Sequence, residues 1–145
     1  MKRIPVLLVA LSLIGLVTAC QKKDPGPGGA MLSEADREAV LAFSEPRMDS
    51  VLDGWNAGDY AAFSKDFSEE ALMAMPSEKF EKLRNAEFTS LGRYYSREVE
   101  TVVHRSDGFY TVIYYAVFAN HNEVLLRVRF LAEEPHQISG LWFNR

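Results

Sequence analysis

The last third of the chain restricts the fold more than any other stretch. Four runs, residues 99–103, 109–119, 124–131 and 138–143, alternate apolar and polar side chains and are separated by short turn-forming stretches. A period of two marks strands with one buried face, and connections this short join neighbouring strands antiparallel. An open sheet of four such strands needs a layer over its apolar face, and the helical periodicity before residue 92 supplies one. The expected class is therefore α+β: a curved antiparallel sheet of about four strands packed on N-terminal helices.

The helical half carries its own start and stop signals. Ser33-Glu34-Ala35-Asp36 is an N-cap signature. Val40, Phe43, Met48, Val51, Leu52 and Trp55 then recur at helical spacing. Pro46 lies inside this run and is expected to kink or split it, while Gly58 suits a left-handed stop. Asp59 caps a short turn with Tyr60 and Phe63, and Ser68 starts another that stops at Pro76. Ser77 caps a last helix through Phe80, Leu83, Phe88 and Leu91, and Gly92 ends it.

Turn chemistry assigns the faces of the sheet. Ser106-Asp107-Gly108 fits a three-residue hairpin loop with glycine at the left-handed position, pairing Arg105 with Phe109. A two-residue turn within 120–122 and a four-residue loop 133–136 extend the register. It places Val99, Thr101, Val103, Thr111, Ile113, Tyr115, Val124, Leu126, Val128, Phe130, Ser139, Leu141 and Phe143 under the helices. The opposite face carries Glu98, Glu100, His104, Val112, Tyr114, Phe118, Leu125, Arg127, Arg129, Ile138 and Trp142. A slip of one residue in any hairpin exchanges the two sets for that strand.

The chain begins with Met1-Lys2-Arg3 and an almost unbroken apolar run, residues 4–17, too short for a membrane span of about 20 residues. This is the pattern of a signal peptide. It ends in Val17-Thr18-Ala19-Cys20, which resembles the bacterial lipobox, and Cys20 is the single cysteine of the chain. The resemblance implies cleavage before Cys20 and an N-terminus carrying lipid, firmly held when two or more acyl chains insert. Gln21 rather than Asp follows, which favours the periplasmic side of the outer membrane over the inner membrane. Residues 1–19 are thus read as a lipoprotein signal peptide. Residues 20–32 are the lipidated Cys20 and a Pro/Gly tether, and residues 33–145 a single domain. Without Lys2 and Arg3 the chain keeps 14 basic against 20 acidic side chains, a net charge of −6. An acidic domain without a basic stripe is a poor partner for nucleic acid.

Within the domain, Trp55-Asn56-Ala57-Gly58-Asp59-Tyr60 precedes Phe63 and Phe67-Ser68. A helix then ends at Leu91-Gly92, and the chain finishes in Ile138-Ser139-Gly140-Leu141-Trp142-Phe143. In these features the chain resembles small domains of unknown function in the nuclear transport factor 2-like superfamily. That resemblance implies a cone, a curved sheet wrapped on helices around an internal pocket. Its members include isomerases, dehydratases and binding modules, so fold alone does not assign an activity.

Two functional readings follow. In the first, the domain is non-catalytic and binds a partner protein or a small ligand. A pocket would be lined by Trp55, Tyr60, Tyr115 and Phe130, apolar groups with a few hydroxyls. An interface, including one between two copies of the chain, would use Tyr114, Phe118, Arg127, Arg129 and Trp142, the residue types of interface hot spots. In the second, a helix-borne carboxylate in the cone, Asp53 above all, serves an isomerase or cyclase. Asp49 shares a helix face with it at a spacing of four residues, and Glu87 is a further helix-borne carboxylate. His104, His121 and His136 form no metal-ligand motif, and neither a phosphate loop nor a nucleophile elbow appears. No metal or cofactor is expected.

Overall fold

The computed structural model describes residues 30–144, so the signal segment, Cys20 and most of the tether lie outside the described residues. The architecture is α+β, with four helices followed by an antiparallel meander. A two-residue strand β1 (Ala30–Met31) precedes α1 (Glu34–Ala57), α2 (Tyr60–Ser64), α3 (Glu69–Ala74) and α4 (Ser77–Leu91). Four long strands follow: β2 (Tyr94–Arg105), β3 (Phe109–Phe118), β4 (His121–Leu131) and β5 (Ile138–Asn144). The sheet order is β1-β2-β3-β4-β5. β1 pairs Ala30 with His104 and Met31 with Val103.

The caps act as the sequence dictates. The Ser33 hydroxyl accepts from the Asp36 amide, and Gly58 closes α1 at φ 72°. The Asp59 carboxylate accepts from the amides of Ala61 and Ala62, and the Ser68 hydroxyl accepts from Ala71. At α4 the cap position falls on Pro76, and Ser77 is the first helical residue. Contrary to the expected split, α1 runs through Pro46 without interruption. The proline removes the donor to the Ala42 carbonyl, but side chains support its neighbours. Arg47 donates to Phe43 O at 2.7 Å, and Arg97 donates to Glu45 O at 3.1 Å.

The faces of the sheet depend on single extra residues. The Ser106–Gly108 loop forms as expected, with Gly108 at φ 84° and Arg105 opposite Phe109. At the next turn Phe118 pairs with His121, and continuing that register would set Val124 opposite Tyr115. One extra residue in β4 instead brings Val124 opposite Ala116. A bulge of this kind inverts every side chain beyond it. Val112, Tyr114, Ala116 and Phe118 consequently point inward and are buried, as is Ile138. Thr101, Val103, Thr111, Ile113 and Tyr115 point outward with them reversed, correcting the assignment made from turn lengths alone. A second bulge at Glu100 returns Val99 to the inner side, opposite Tyr114. Leu126, Val128, Phe130, Leu141 and Phe143 face inward as expected, and Trp142 lies outward opposite Arg127.

The helices lie across the inner face, and aromatic rings fill the space between. Trp55, fully buried, meets Phe143 at 5.1 Å, Phe88 at 6.3 Å and Phe80 at 6.5 Å between centroids. Phe63 packs on Phe80 at 4.4 Å. Gly54 makes this approach possible, because a Cβ there would run into the Phe63 backbone nitrogen and lie 2.8 Å from Asp59 O. Overpacking a tight contact typically costs about 1–3 kcal/mol. Gly54→Ala is therefore expected to lower the unfolding free energy by about 2 kcal/mol or more. Urea denaturation followed by circular dichroism measures it, and an unchanged midpoint would contradict the α1–α2 contact.

Candidate functional site

The six-residue motif at the end of α1 is an architectural joint. Trp55 supplies the core ring, and Asn56 clamps the start of β2. Its Nδ2 donates to Tyr94 O at 3.0 Å, and its Oδ1 accepts from Tyr94 N at 2.9 Å. Gly58 terminates α1, Asp59 caps α2, and the Tyr60 hydroxyl donates to Met75 O at 2.8 Å. Arg84 from α4 donates to the carbonyls of Trp55 and Asn56, at 2.6 and 3.1 Å. A cation at the negative end of a helix is favourable.

The proposed pocket residues are not brought together. Trp55 and Phe130 are packed core, and Tyr60 sits at the start of α2. Tyr115 stands on the outer face, 46% exposed, because of the β4 bulge. Asp53 is exposed on α1 and enters no cavity, so the carboxylate named for the isomerase reading is on the solvent side. Asp49 is mostly exposed and reaches an Arg97 side-chain nitrogen at 2.8 Å, while Glu87 is half-buried.

A polar cluster does lie inside the domain, and sequence reasoning missed it. Arg97 on β2 projects inward with its side chain 8% exposed, held by Glu45 and Asp49 at 2.8 Å each. It also donates to the Tyr94 hydroxyl at 3.2 Å and lies 5.3 Å from the Tyr114 ring centroid. The Tyr114 hydroxyl is 3.5 Å from Ser44 Oγ, both residues being fully buried. Burial disfavours the Arg97 charge, but its hydrogen bonds to Asp49 and Tyr94 and the field of Glu45 outweigh it and raise its pKa. Burial, with the field of Glu45, raises the Tyr114 pKa well above the ordinary phenol value. Glu45 Oε1 and Arg97 Nε are buried without a partner. The strand pattern held the signal: an arginine between Ser96 and Glu98, in register with the inner residue Ala116.

The outer face is the surface left uncovered by any other element among the described residues. The Arg127 guanidinium carbon lies 4.7 Å from the Trp142 ring centroid. That of Arg129 lies 4.3 Å from Phe109 and 5.7 Å from Trp142. Arg129 Nε also donates to Ser139 Oγ at 3.1 Å. Gly140 leaves room for the Trp142 ring, which a Cβ at that position would strike. Neither arginine has a carboxylate within ion-pair distance among the described residues, whereas Arg105 pairs with Asp107 at 3.0 Å. Together with Thr111 and Ile113 they border a groove of about 380 Å³. Toward the other end of the same face, Glu98 and Glu123 border a second groove with Tyr115. Of the interface residues named from sequence, Arg127, Arg129 and Trp142 stand on this surface. Tyr114 and Phe118 do not, since the β4 bulge turns both into the core.

Comparisons with known proteins add little to this geometry. No protein-family profile matches the chain, and no curated protein sequence matches it. Among solved structures, the chain is similar to a domain of unknown function with a cystatin-like fold from Nostoc punctiforme PCC 73102. The two are 17% identical over 79% of each chain, with a TM-score of 0.47.

Tyr114 makes the inner cluster testable by pH. Its raised pKa means that above about pH 10, the ordinary tyrosine value, the unfolded chain loses a phenolic proton that the folded chain keeps. Stability therefore falls as pH rises beyond that point, by the linkage of proton uptake to folding. Thermal melts between about pH 8 and pH 11 are expected to fall less steeply for Tyr114→Phe than for the wild type. Parallel slopes would place Tyr114 in a solvated site.

Proposed function

We propose that this chain is a lipid-anchored bacterial envelope protein whose α+β domain acts by binding a protein partner through the outer face of its sheet. The partner that the surface fits best is a second copy of the chain. The observation that carries this reading is the charge arrangement on that uncovered face. Arg127 and Arg129 on β4 lie to one side of β3, level with Ile113 and Thr111, and Glu98 on β2 lies to the other, level with Tyr115. A two-fold axis crossing β3 obliquely would set Arg127 of one copy toward Glu98 of the other, an isologous contact.

Size and composition support the same reading. Four strands about 4.8 Å apart and about ten residues long present roughly 600 Å², close to the ~800 Å² per partner of a standard interface. Exposed Trp142 and Tyr115 supply large anchoring rings of the kind enriched at hot spots. The guanidinium groups already lie over aromatic rings, so less side-chain freedom is lost on docking.

Charge reversal tests the contact. Arg127→Glu is expected to shift the chain toward monomer by at least about tenfold in dissociation constant, since two like charges would then face each other. Adding Glu98→Arg to the same chain should restore association, with sedimentation velocity as the measurement. A monomeric wild type at high micromolar concentration, or a double variant no better than the single, would refute self-pairing.

The anchor has its own test. Intact-mass analysis of the protein extracted from membranes is expected to give a chain starting at Cys20 with diacylglycerol and acyl groups attached. Cys20→Ser should abolish both the added mass and the membrane retention. An unmodified N-terminus at another residue would refute the lipoprotein reading while leaving the outer-face contact untouched.

A further inference from the structure

Away from the outer face, a cavity of about 200 Å³ opens between α3, α4 and the edge strand β5. Its walls are mostly apolar, with Phe63, Phe67, Ala71, Met75, Leu83 and Leu141 among them. This edge of the sheet is sealed only in part. The segment before α3 pairs with the start of β5, with Ser68 N donating to Ile138 O at 2.9 Å and Ile138 N to Asp66 O at 2.8 Å. Beyond Ile138 the cavity is lined by Ser139 to Phe143 of β5 on one side and by residues of α3 and α4 on the other.

One charged side chain borders this cavity. Lys79, exposed in the first turn of α4, donates to Ala74 O at 2.8 Å. It has no carboxylate within ion-pair distance among the described residues, so two of its three N–H donors are left without a protein acceptor there. Ser139 also lines the cavity, and its hydroxyl is already engaged with Arg129. An apolar slot with a single uncompensated cation at its rim selects for an amphiphile with one negative head.

We propose that this cavity binds a small monocarboxylic acid, its hydrocarbon part seated among Phe63, Phe67 and Leu141 and its carboxylate on the Lys79 ammonium. Volume sets the size of the ligand. An apolar cavity of about 150 Å³ holds benzene, so 200 Å³ takes an aromatic ring with a short side chain or an acyl chain of about six to eight carbons. A neutral molecule of the same shape fills the slot but leaves the lysine unmatched. A dicarboxylate brings a second charge that the apolar wall disfavours.

Octanoate and 1-octanol are suitable probes, titrated into the full mature chain by isothermal calorimetry. Octanoate is expected to bind with a dissociation constant of about a millimolar or tighter, in line with its atom count. It should bind about tenfold tighter than the alcohol, the value of one partly exposed charge-assisted hydrogen bond. Lys79→Ala should remove that preference while leaving octanol binding unchanged. Ala74→Leu, at an exposed position on the rim, should weaken both ligands by narrowing the mouth. Equal binding of acid and alcohol by the wild type would overturn the role of Lys79. Absence of octanoate binding at about 10 mM, or binding that survives both substitutions, would overturn the site.

Discussion

Every long element of this domain is referred to the last turn of α1. Trp55 there touches rings from α4 and from the final strand. Gly54 admits α2 to backbone contact. Asn56 ties down the first residue of β2 with two hydrogen bonds, and Arg84 returns from α4 to the two carbonyls that the helix end leaves open. One turn of helix thus carries packing, capping and strand entry together. Moving it would displace α2, α4 and the sheet at once, and the buried Trp55 fixes it by filling the centre of the aromatic core.

The sheet shows a different kind of control. Its strands, hairpins and order follow from alternation and turn chemistry, and the Arg105–Phe109 pairing is where the glycine at 108 puts it. Its faces do not follow, because a bulge has no strong local signature in Asn122-Glu123 or at Glu100, yet each shifts the strand by one residue. Tyr114 and Tyr115 have the same side chain and adjacent positions, and only the long-range pairing decides which is core. The turn into β4 has the expected two residues but lies at Ala119 and Asn120 rather than within 120–122, and the inversion occurs just after it. The caps at Ser33, Asp59 and Ser68 and the stop at Gly58 were legible because their chemistry is local, while the cap of α4 falls on Pro76 rather than Ser77. Arg97 was not, because an arginine in a polar stretch becomes an inward residue only through its pairing with Ala116.

The inward arginine also changes the meaning of the concave side. A cation there does not create an open reactive site, since Glu45, Asp49 and Tyr94 surround it. Two of the same contacts brace α1 at Pro46, where the helix lacks a backbone donor. The cluster thereby joins the middle of α1 to β2, as Asn56 joins its end. Two struts set the helix at a fixed distance over the sheet, and the aromatic rings fill the space they define.

What remains is a contrast between arginines. Arg97, Arg47 and Arg84 are spent on backbone carbonyls and carboxylates of the domain itself. Arg127 and Arg129 also lie over aromatic rings, as Arg84 does over Phe88, but apart from the bond from Arg129 Nε to Ser139 Oγ they lack such polar partners, and Gly140 is kept small so that Trp142 can lie beside them. Stacking fixes a guanidinium in place without using its in-plane donors, whereas a carboxylate partner would consume them. In a chain with six more acidic than basic side chains beyond residue 19, carboxylates are abundant, yet none of those described closes on this pair. The surface therefore keeps most of the guanidinium donors of this pair available, on the face that no other described element covers, with Glu98 on β2 across β3 from them.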